Sequence, residues 1–146
     1  MAGYVKADKP GVVVPPDHGW HDTGDIVEID AEGFITIKGR AKRFAKIGGE
    51  MVSLAAVETL AANAWPDGQH VVVNLPDARK GEQLILVTDT AEADKDALLE
   101  LARQQGFPEL WVPKHILVVN NIPVMGSGKV DLAATTALVK QTRPLL

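Results

Sequence analysis

The order of short helix and strand patterns along the chain restricts it to a mixed α+β fold. Apolar runs typical of strands alternate with stretches of helical periodicity, and Gly or Pro residues separate them. This order predicts a compact domain from about residue 43, with a three-stranded sheet flanked by helices. The predicted elements are a hairpin at 26–37, a helix after Ser53, strands at 70–75 and 83–88, a helix at 94–105, a strand at 116–119 and a helix after Asp131.

A change of composition at the basic stretch from Arg40 to Arg43 indicates a boundary. The residues before it are rich in Pro and Gly, and they are too few to form a core of their own. We therefore expect residues 1–41 to be the terminal segment and hairpin of a larger domain, and residues 42–146 to be a small C-terminal domain. On this expectation the chain is a fragment of a longer protein.

Charge and composition exclude several classes of protein. The chain has 15 Lys and Arg against 19 Asp and Glu, a formal net charge of −4, which disfavours binding to nucleic acid. There is no Cys, so disulfides and thiolate metal sites are excluded, and the four His residues complete no metal-ligand set. No apolar run is long enough to span a bilayer. We expect a cytoplasmic protein without a metal site in this segment.

Three polar segments have residues that can contact a nucleotide. Asp25, beside the Thr23-Gly24 turn, can accept hydrogen bonds from both hydroxyls of a ribose. Arg40 ends a predicted strand and can reach a ribose hydroxyl or a phosphate, and Lys129 follows a Gly-rich loop and can place an ammonium on a carboxylate or phosphate. Taken singly, each segment favours an ordinary structural role: an Asp before a strand, a solvated Arg, and an exposed Lys in a flexible loop.

The loop before Lys129 does not match two common catalytic loops. A P-loop requires Gly where this chain has Pro123, and Ser or Thr where it has Val130. Ser127 lacks the strand-to-helix turn of a nucleophile elbow.

Several short motifs occur along the chain in a fixed order. Their residues are Gly19, Trp20, Thr23, Gly24, Asp25, Asp30, Gly33, Gly39, Arg40, Lys42, Lys46, Gly49, Glu58, Pro123, Gly128 and Lys129. Taken together and in this order, they resemble the motifs of the adenylate-forming (acyl-activating) enzymes, over nearly the whole chain. Within that family, the run from Gly39 to Leu54 is most similar to bacterial acyl-acyl-carrier-protein synthetases, in particular the bifunctional 2-acylglycerophosphoethanolamine acyltransferase/acyl-acyl-carrier-protein synthetases.

The resemblance implies a role for five residues. Asp25 and Arg40 are expected to hold the ribose of ATP. Lys42 is expected to be the hinge about which a C-terminal lid domain rotates. Gly49 is expected to lie where the pantetheine arm of the acceptor passes, and Lys129 is expected to bridge the acyl carboxylate and the ATP phosphates as the catalytic lysine.

The resemblance also implies a two-step activity for the parent enzyme. A fatty acid and ATP form an acyl-adenylate, and the thiol of a phosphopantetheine on acyl carrier protein or CoA then takes the acyl group. A large N-terminal adenylation domain is expected to supply most contacts to ATP and Mg²⁺, so the fragment alone is expected to be inactive. An attached lysophospholipid acyltransferase domain, and association of the parent with the inner membrane, are further implications.

The chain departs from the family pattern at two places, and two alternative functions are considered beside the first. Leu132 stands where the family often has Arg, and Gly126-Ser127 replaces a more usual basic and hydroxyl pair, so the phosphate contacts of this loop remain open. One alternative is the C-terminal domain of an acyl-CoA synthetase. The other, from a different class, is a non-catalytic interaction module that retains the fold.

Overall fold

The computed structural model describes residues 2–142, and the chain divides into two compact units, Met1–Ala41 and Lys42–Leu146. The assignment of the first unit to a larger adenylation domain, and of the second to a lid, stays a prediction.

The first unit consists of two small antiparallel ribbons. Strands β1 (Tyr4–Val5) and β2 (Val13–Val14) pair with each other, and β3 (Asp25–Ile29) pairs with β4 (Ile35–Arg40). The second ribbon confirms the predicted hairpin, whereas the first was not predicted. No residue in 2–41 is buried, so these strands have no core within the unit.

The turn of the β3–β4 hairpin follows from its sequence. The Asp30 carboxylate accepts hydrogen bonds from the backbone N–H groups of Glu32 and Phe34, at 3.1 and 2.8 Å. Gly33 has a φ of 88°, a conformation that few residues other than Gly adopt. These local contacts explain why the hairpin was predictable from a short stretch of chain.

The second unit is a mixed sheet with helices on both faces. The strand order is β6-β5-β8-β7 with antiparallel neighbours, and β9 pairs in parallel with β8. The elements are β5 (Phe44–Ile47), β6 (Glu50–Ser53), α1 (Leu54–Ala64), β7 (His70–Asp77), β8 (Gly81–Thr88), α2 (Lys95–Gln104), β9 (His115–Val118) and α3 (Leu132–Thr142).

The predicted α+β class is confirmed, but the predicted number of strands was wrong. Within the described residues the sheet has five strands rather than three, because the hairpin β5–β6 was not predicted. Each of its strands has only four residues, and exposed Lys46, Glu50 and Met51 interrupt the apolar pattern. The strands predicted at 70–75 and 83–88 are also longer than expected, since β7 and β8 pair as far as Asp77 and Gly81.

The core lies on both faces of this sheet. Successive residues of β7 point to opposite faces, so that Val72 packs with α1 and α2 while Val71 and Val73 pack towards α3. Leu60 of α1 and Val139 of α3 are fully buried in these two clusters. A buried strand with helices on both sides accounts for the nearly continuous apolar run at 70–75.

Each of the three α-helices within residues 2–142 begins at a side-chain cap. Ser53, Asp94 and Asp131 accept hydrogen bonds from the backbone N–H groups three residues later, at 3.3, 2.9 and 2.9 Å. These contacts confirm the predicted helix starts.

Replacing Asp131 with Ala is expected to lower the free energy of unfolding by about 1 kcal/mol, because it removes the cap of α3. Asp131→Asn is the matched control, since an amide oxygen can still accept the Ala134 N–H. Urea unfolding of the two variants measures the difference. Equal losses would contradict a capping role.

Candidate functional site

Asp25 and Arg40 form a cross-strand pair at one end of the β3–β4 hairpin. They are register partners, and Arg40 Nε lies 3.0 Å from Asp25 Oδ1. Arg40 Nη1 also donates to the carbonyl of Thr23 at 2.9 Å. The Asp25 side chain is 18% exposed and that of Arg40 is 68% exposed, so the carboxylate is held in place while the guanidinium is open to solvent.

The turn before β3 fixes the position of Asp25. Gly24 has a φ of 70°, and its N–H donates to the carboxylate of Asp22 at 2.8 Å. The Gly24 carbonyl accepts the N–H of Ala41 at 2.7 Å, which ties the turn to the end of β4. A shift in register between Ile26 and Val27 follows, and such bulges re-aim neighbouring side chains. The structure therefore brings together two predicted site residues that are far apart in sequence.

Lys42 and Gly49 lie at the start of the second unit. Lys42 is exposed and sits in a 3₁₀ turn, Ala41–Arg43. Gly48 and Gly49 form the β5–β6 turn with φ values of 59° and 95°. A Cβ atom on Gly49 would meet no atom of the described structure within 4 Å, so here the backbone conformation, rather than packing, requires Gly.

The segment before Lys129 forms a small hairpin. Val124 and Val130 form an antiparallel bridge, and the Met125 N–H donates to the Lys129 carbonyl at 2.7 Å. Gly128 has a φ of 79°, and its N–H donates to the Met125 carbonyl at 2.8 Å. We call residues 124–130 the lysine hairpin. Lys129 lies near the C-terminal end of this hairpin and is exposed, which leaves its ammonium available for a ligand.

The base of the lysine hairpin is joined to α3. The N–H of Asp131 donates to the Pro123 carbonyl at 2.8 Å, and the carboxylate of Asp131 caps the helix. The backbone of Lys129 is thus held between a bridge and a helix cap. Its side chain remains exposed to solvent.

One polar network of the second unit was not predicted from the sequence. Arg43 forms an ion pair with Glu58 of α1, and both side chains bind the backbone of Val72 in β7. The sequence identifies Glu58 as a motif residue but not its partners. The sequence holds no local signal for this network, since its members lie 14 to 29 residues apart.

The described residues contain neither a metal-binding cluster nor a helix that could span a membrane. Within 2–142, no three His, Cys, Asp or Glu side chains lie together in a way that could hold a metal ion. Over the same residues, no helix is both long and apolar enough to cross a bilayer.

No protein-family model matches the chain, but individual proteins do. It is 32% identical over 145 residues to 2,3-dihydroxybenzoate-AMP ligase of Bacillus subtilis, covering 97% of this chain and 26% of that protein. It is 35% identical over 116 residues to the long-chain-fatty-acid–CoA ligase FadD13 of Mycobacterium tuberculosis, covering 78% of this chain and 23% of that protein. The chain therefore spans about a quarter of the length of the curated relatives it matches.

Several solved structures have a fold similar to that of this chain, and each is likewise much longer than the matched region. ATP-bound MatB of Rhodopseudomonas palustris matches with a TM-score of 0.68 and 26% identity, over 86% of this chain and 25% of that one. The amide bond synthetase McbA of Marinactinospora thermotolerans matches with a TM-score of 0.60 and 27% identity, over 85% and 26% of the two chains.

Proposed function

Because the relatives and structural neighbours of this chain are AMP-forming ligases of the adenylate-forming superfamily, we propose that it is the C-terminal part of an ATP-dependent acid–thiol ligase. The observation that carries the proposal is the placement of Lys129. Its ammonium is exposed on a hairpin whose backbone is fixed by hydrogen bonds, as required of a cation that acts on a ligand held elsewhere. The supporting observation is the Asp25–Arg40 pair.

The first half-reaction joins a carboxylate to the α-phosphate of ATP and releases pyrophosphate. Both reactants are anions, and their repulsion is large in a site from which water is excluded. The ammonium of Lys129 offsets this repulsion and stabilises the charge that develops on the leaving pyrophosphate. In this proposal Asp25 and Arg40 position the nucleotide through its ribose, and Mg²⁺ is held mainly by the rest of the parent enzyme.

The second half-reaction transfers the acyl group from AMP to a thiol. The sulfur attacks the acyl carbon, and AMP leaves with the electrons of the broken C–O bond. The acceptor thiol lies on a long pantetheine arm, so Lys129 has to make room for it. Rotation about Lys42 exchanges Lys129 for the β5–β6 turn, where Gly49 presents no side chain to the arm.

For the acid and the acceptor, we propose a fatty acid and the phosphopantetheine of acyl carrier protein. Support comes from the resemblance of residues 39–54 to acyl-acyl-carrier-protein synthetases. CoA is the second candidate, because the relative from Mycobacterium tuberculosis is a long-chain-fatty-acid–CoA ligase. Thioester formation by the full-length enzyme, measured in parallel with holo-acyl carrier protein and with CoA, decides between them. Activity with neither acceptor would favour the non-catalytic interaction module instead.

Replacing Asp25 with Asn in the full-length enzyme is expected to raise the KM for ATP by about 10-fold or more, because a charged hydrogen-bond acceptor for the ribose is lost. Glu28→Gln is the matched control on the same strand. A hydrogen bond and the charge of Lys38 hold the pKa of Glu28 below its usual value, so the control also removes a carboxylate that is ionised at neutral pH. Initial rates at varied ATP measure both, and equal KM values would contradict a nucleotide role for Asp25.

A further inference from the structure

An ion pair lies directly after the proposed hinge residue. Arg43 follows Lys42 in the chain, and its guanidinium contacts the carboxylate of Glu58 in α1. Arg43 Nη1 also donates to the carbonyl of Val72 at 3.1 Å, and Glu58 Oε1 accepts the Val72 N–H at 2.8 Å. One side chain from the hinge segment and one from α1 therefore hold both backbone polar groups of the same residue.

The position of Val72 explains why these contacts form. Strand β7 pairs with β8 along one edge and has no neighbouring strand on the other edge within the described residues. Val72 is fully buried, and an unpaired N–H or C=O at such a position is costly. Arg43 and Glu58 take the place of the missing strand and satisfy both groups.

The burial of the pair makes it difficult to break. The side chains of Arg43 and Glu58 are only 20% and 24% exposed. Removing one partner leaves the other charge poorly solvated and one backbone group of Val72 without its partner. The first residue after Lys42 is consequently fixed to α1 and β7.

An open pocket of about 240 Å³ lies between this pair and the base of the lysine hairpin. Arg43 and Glu58 line one part of it, and Val130 and Leu132 line another. Val130 is the last residue of the lysine hairpin and Leu132 is the first residue of α3. The ion pair thus faces the base of that hairpin across the pocket, and β7 links the two, because Val130 packs against the core cluster that contains Val71, the neighbour of Val72.

We propose that Arg43 and Glu58 are positioning residues that hold the lysine hairpin at a set distance and angle from the hinge. With the pair intact, rotation at Lys42 moves α1, β7 and the lysine hairpin as one body, so Lys129 arrives where adenylation needs it. Without the pair, the segment after the hinge moves independently and Lys129 is misplaced. The inference rests on the proposed function of Lys129, and it adds two residues that do not contact the reacting atoms.

A double-mutant cycle in the full-length enzyme tests this inference. Glu58→Gln keeps the shape of the side chain and removes its charge. We expect it to slow pyrophosphate release on acyl-adenylate formation about 10-fold, within the range of coupling between residues that act as a unit. In a Lys129→Ala background the same change is expected to cause no further loss, because a misplaced lysine cannot matter once the lysine is absent.

The control is Arg103→Gln, which breaks the exposed ion pair of Arg103 with Glu109 in the same unit. It should leave the adenylation rate unchanged. Thermal unfolding of each variant reports the loss of stability, and Arg43→Lys serves as a second variant if Glu58→Gln folds poorly. A lysine at position 43 retains the positive charge but lacks the planar guanidinium that reaches both Glu58 and the Val72 carbonyl. An intermediate loss of rate is therefore expected.

Three results would overturn the inference. The first is an equal loss in both backgrounds, which a general loss of folded protein produces. The second is no loss in either background. The third is a normal rate for Lys129→Ala itself, which would remove the proposed function of Lys129 as well, whereas the first two results leave that function standing.

Discussion

Replacing Lys129 with Ala in the full-length enzyme is expected to slow acyl-adenylate formation by about 100-fold or more, the scale seen when one electrostatic stabiliser of a transition state is removed. The first half-reaction brings two anions together, the carboxylate and ATP, and the ammonium of Lys129 offsets their repulsion. Thioester formation from a supplied acyl-adenylate is expected to continue, because the lysine serves only the step that releases pyrophosphate.

Two further variants sharpen this result. Lys140→Ala removes another exposed lysine, on α3, and should affect neither step. Lys129→Arg should restore little activity, since a planar guanidinium does not replace a compact ammonium between two anions. Pyrophosphate release and thioester formation are measured separately. A similar loss in both steps, or none in either, would show that Lys129 does not act on adenylation.

Replacing Lys42 with Pro is expected to separate the two half-reactions. The ring of Pro fixes φ near −65°, so backbone rotation at this position is lost and the lid is held near one orientation. We expect one half-reaction to fall by about 100-fold, the cost of a small misplacement of reacting groups, while the other is much less affected. Single-turnover measurements of each step show which one is retained.

Lys42→Ala is the control for this variant. It removes the same side chain and leaves the backbone free to rotate, so both half-reactions should proceed near the normal rate. An equal loss in both steps for Lys42→Pro would argue against a hinge. A large loss for Lys42→Ala would instead assign a role to the side chain.

These two variants also separate the chemistry from the motion. Lys129→Ala leaves the hinge unchanged and removes a charge, whereas Lys42→Pro leaves the charge and removes a rotation. If both proposals hold, the outcome of a second change at Lys129 depends on the orientation in which Lys42→Pro holds the lid. A lid held in the orientation for thioester formation should leave that step insensitive to Lys129→Ala. A lid held in the orientation for adenylation should lose the adenylation activity when Lys129→Ala is added.

Local chemistry allowed the sequence to predict most elements of the second unit. The helix starts at Ser53, Asp94 and Asp131 depend on a side chain that binds an N–H three residues later. The turn between β3 and β4 likewise depends on neighbouring residues, chiefly Asp30 and Gly33. Such features are encoded within a few residues, and a short window of sequence therefore contains all the information that they need.

The motifs also contained the candidate site residues, but only their joint order distinguished them from ordinary surface residues. Asp25, Arg40 and Lys129 were each typical of an unremarkable position when taken alone. The structure adds that Asp25 and Arg40 are paired across two strands, and that Lys129 is exposed on a fixed hairpin.

Only the tertiary structure decided the pairing of distant segments. The hairpin β5–β6 joins the sheet through a single paired position with β8, and β9 pairs in parallel with β8 across a long connection. The contacts of Arg43 with Glu58 and Val72 span 15 and 29 residues. These interactions depend on which buried backbone groups the fold leaves without a strand partner, and that is determined by the packing of the whole sheet and not by any local stretch of sequence.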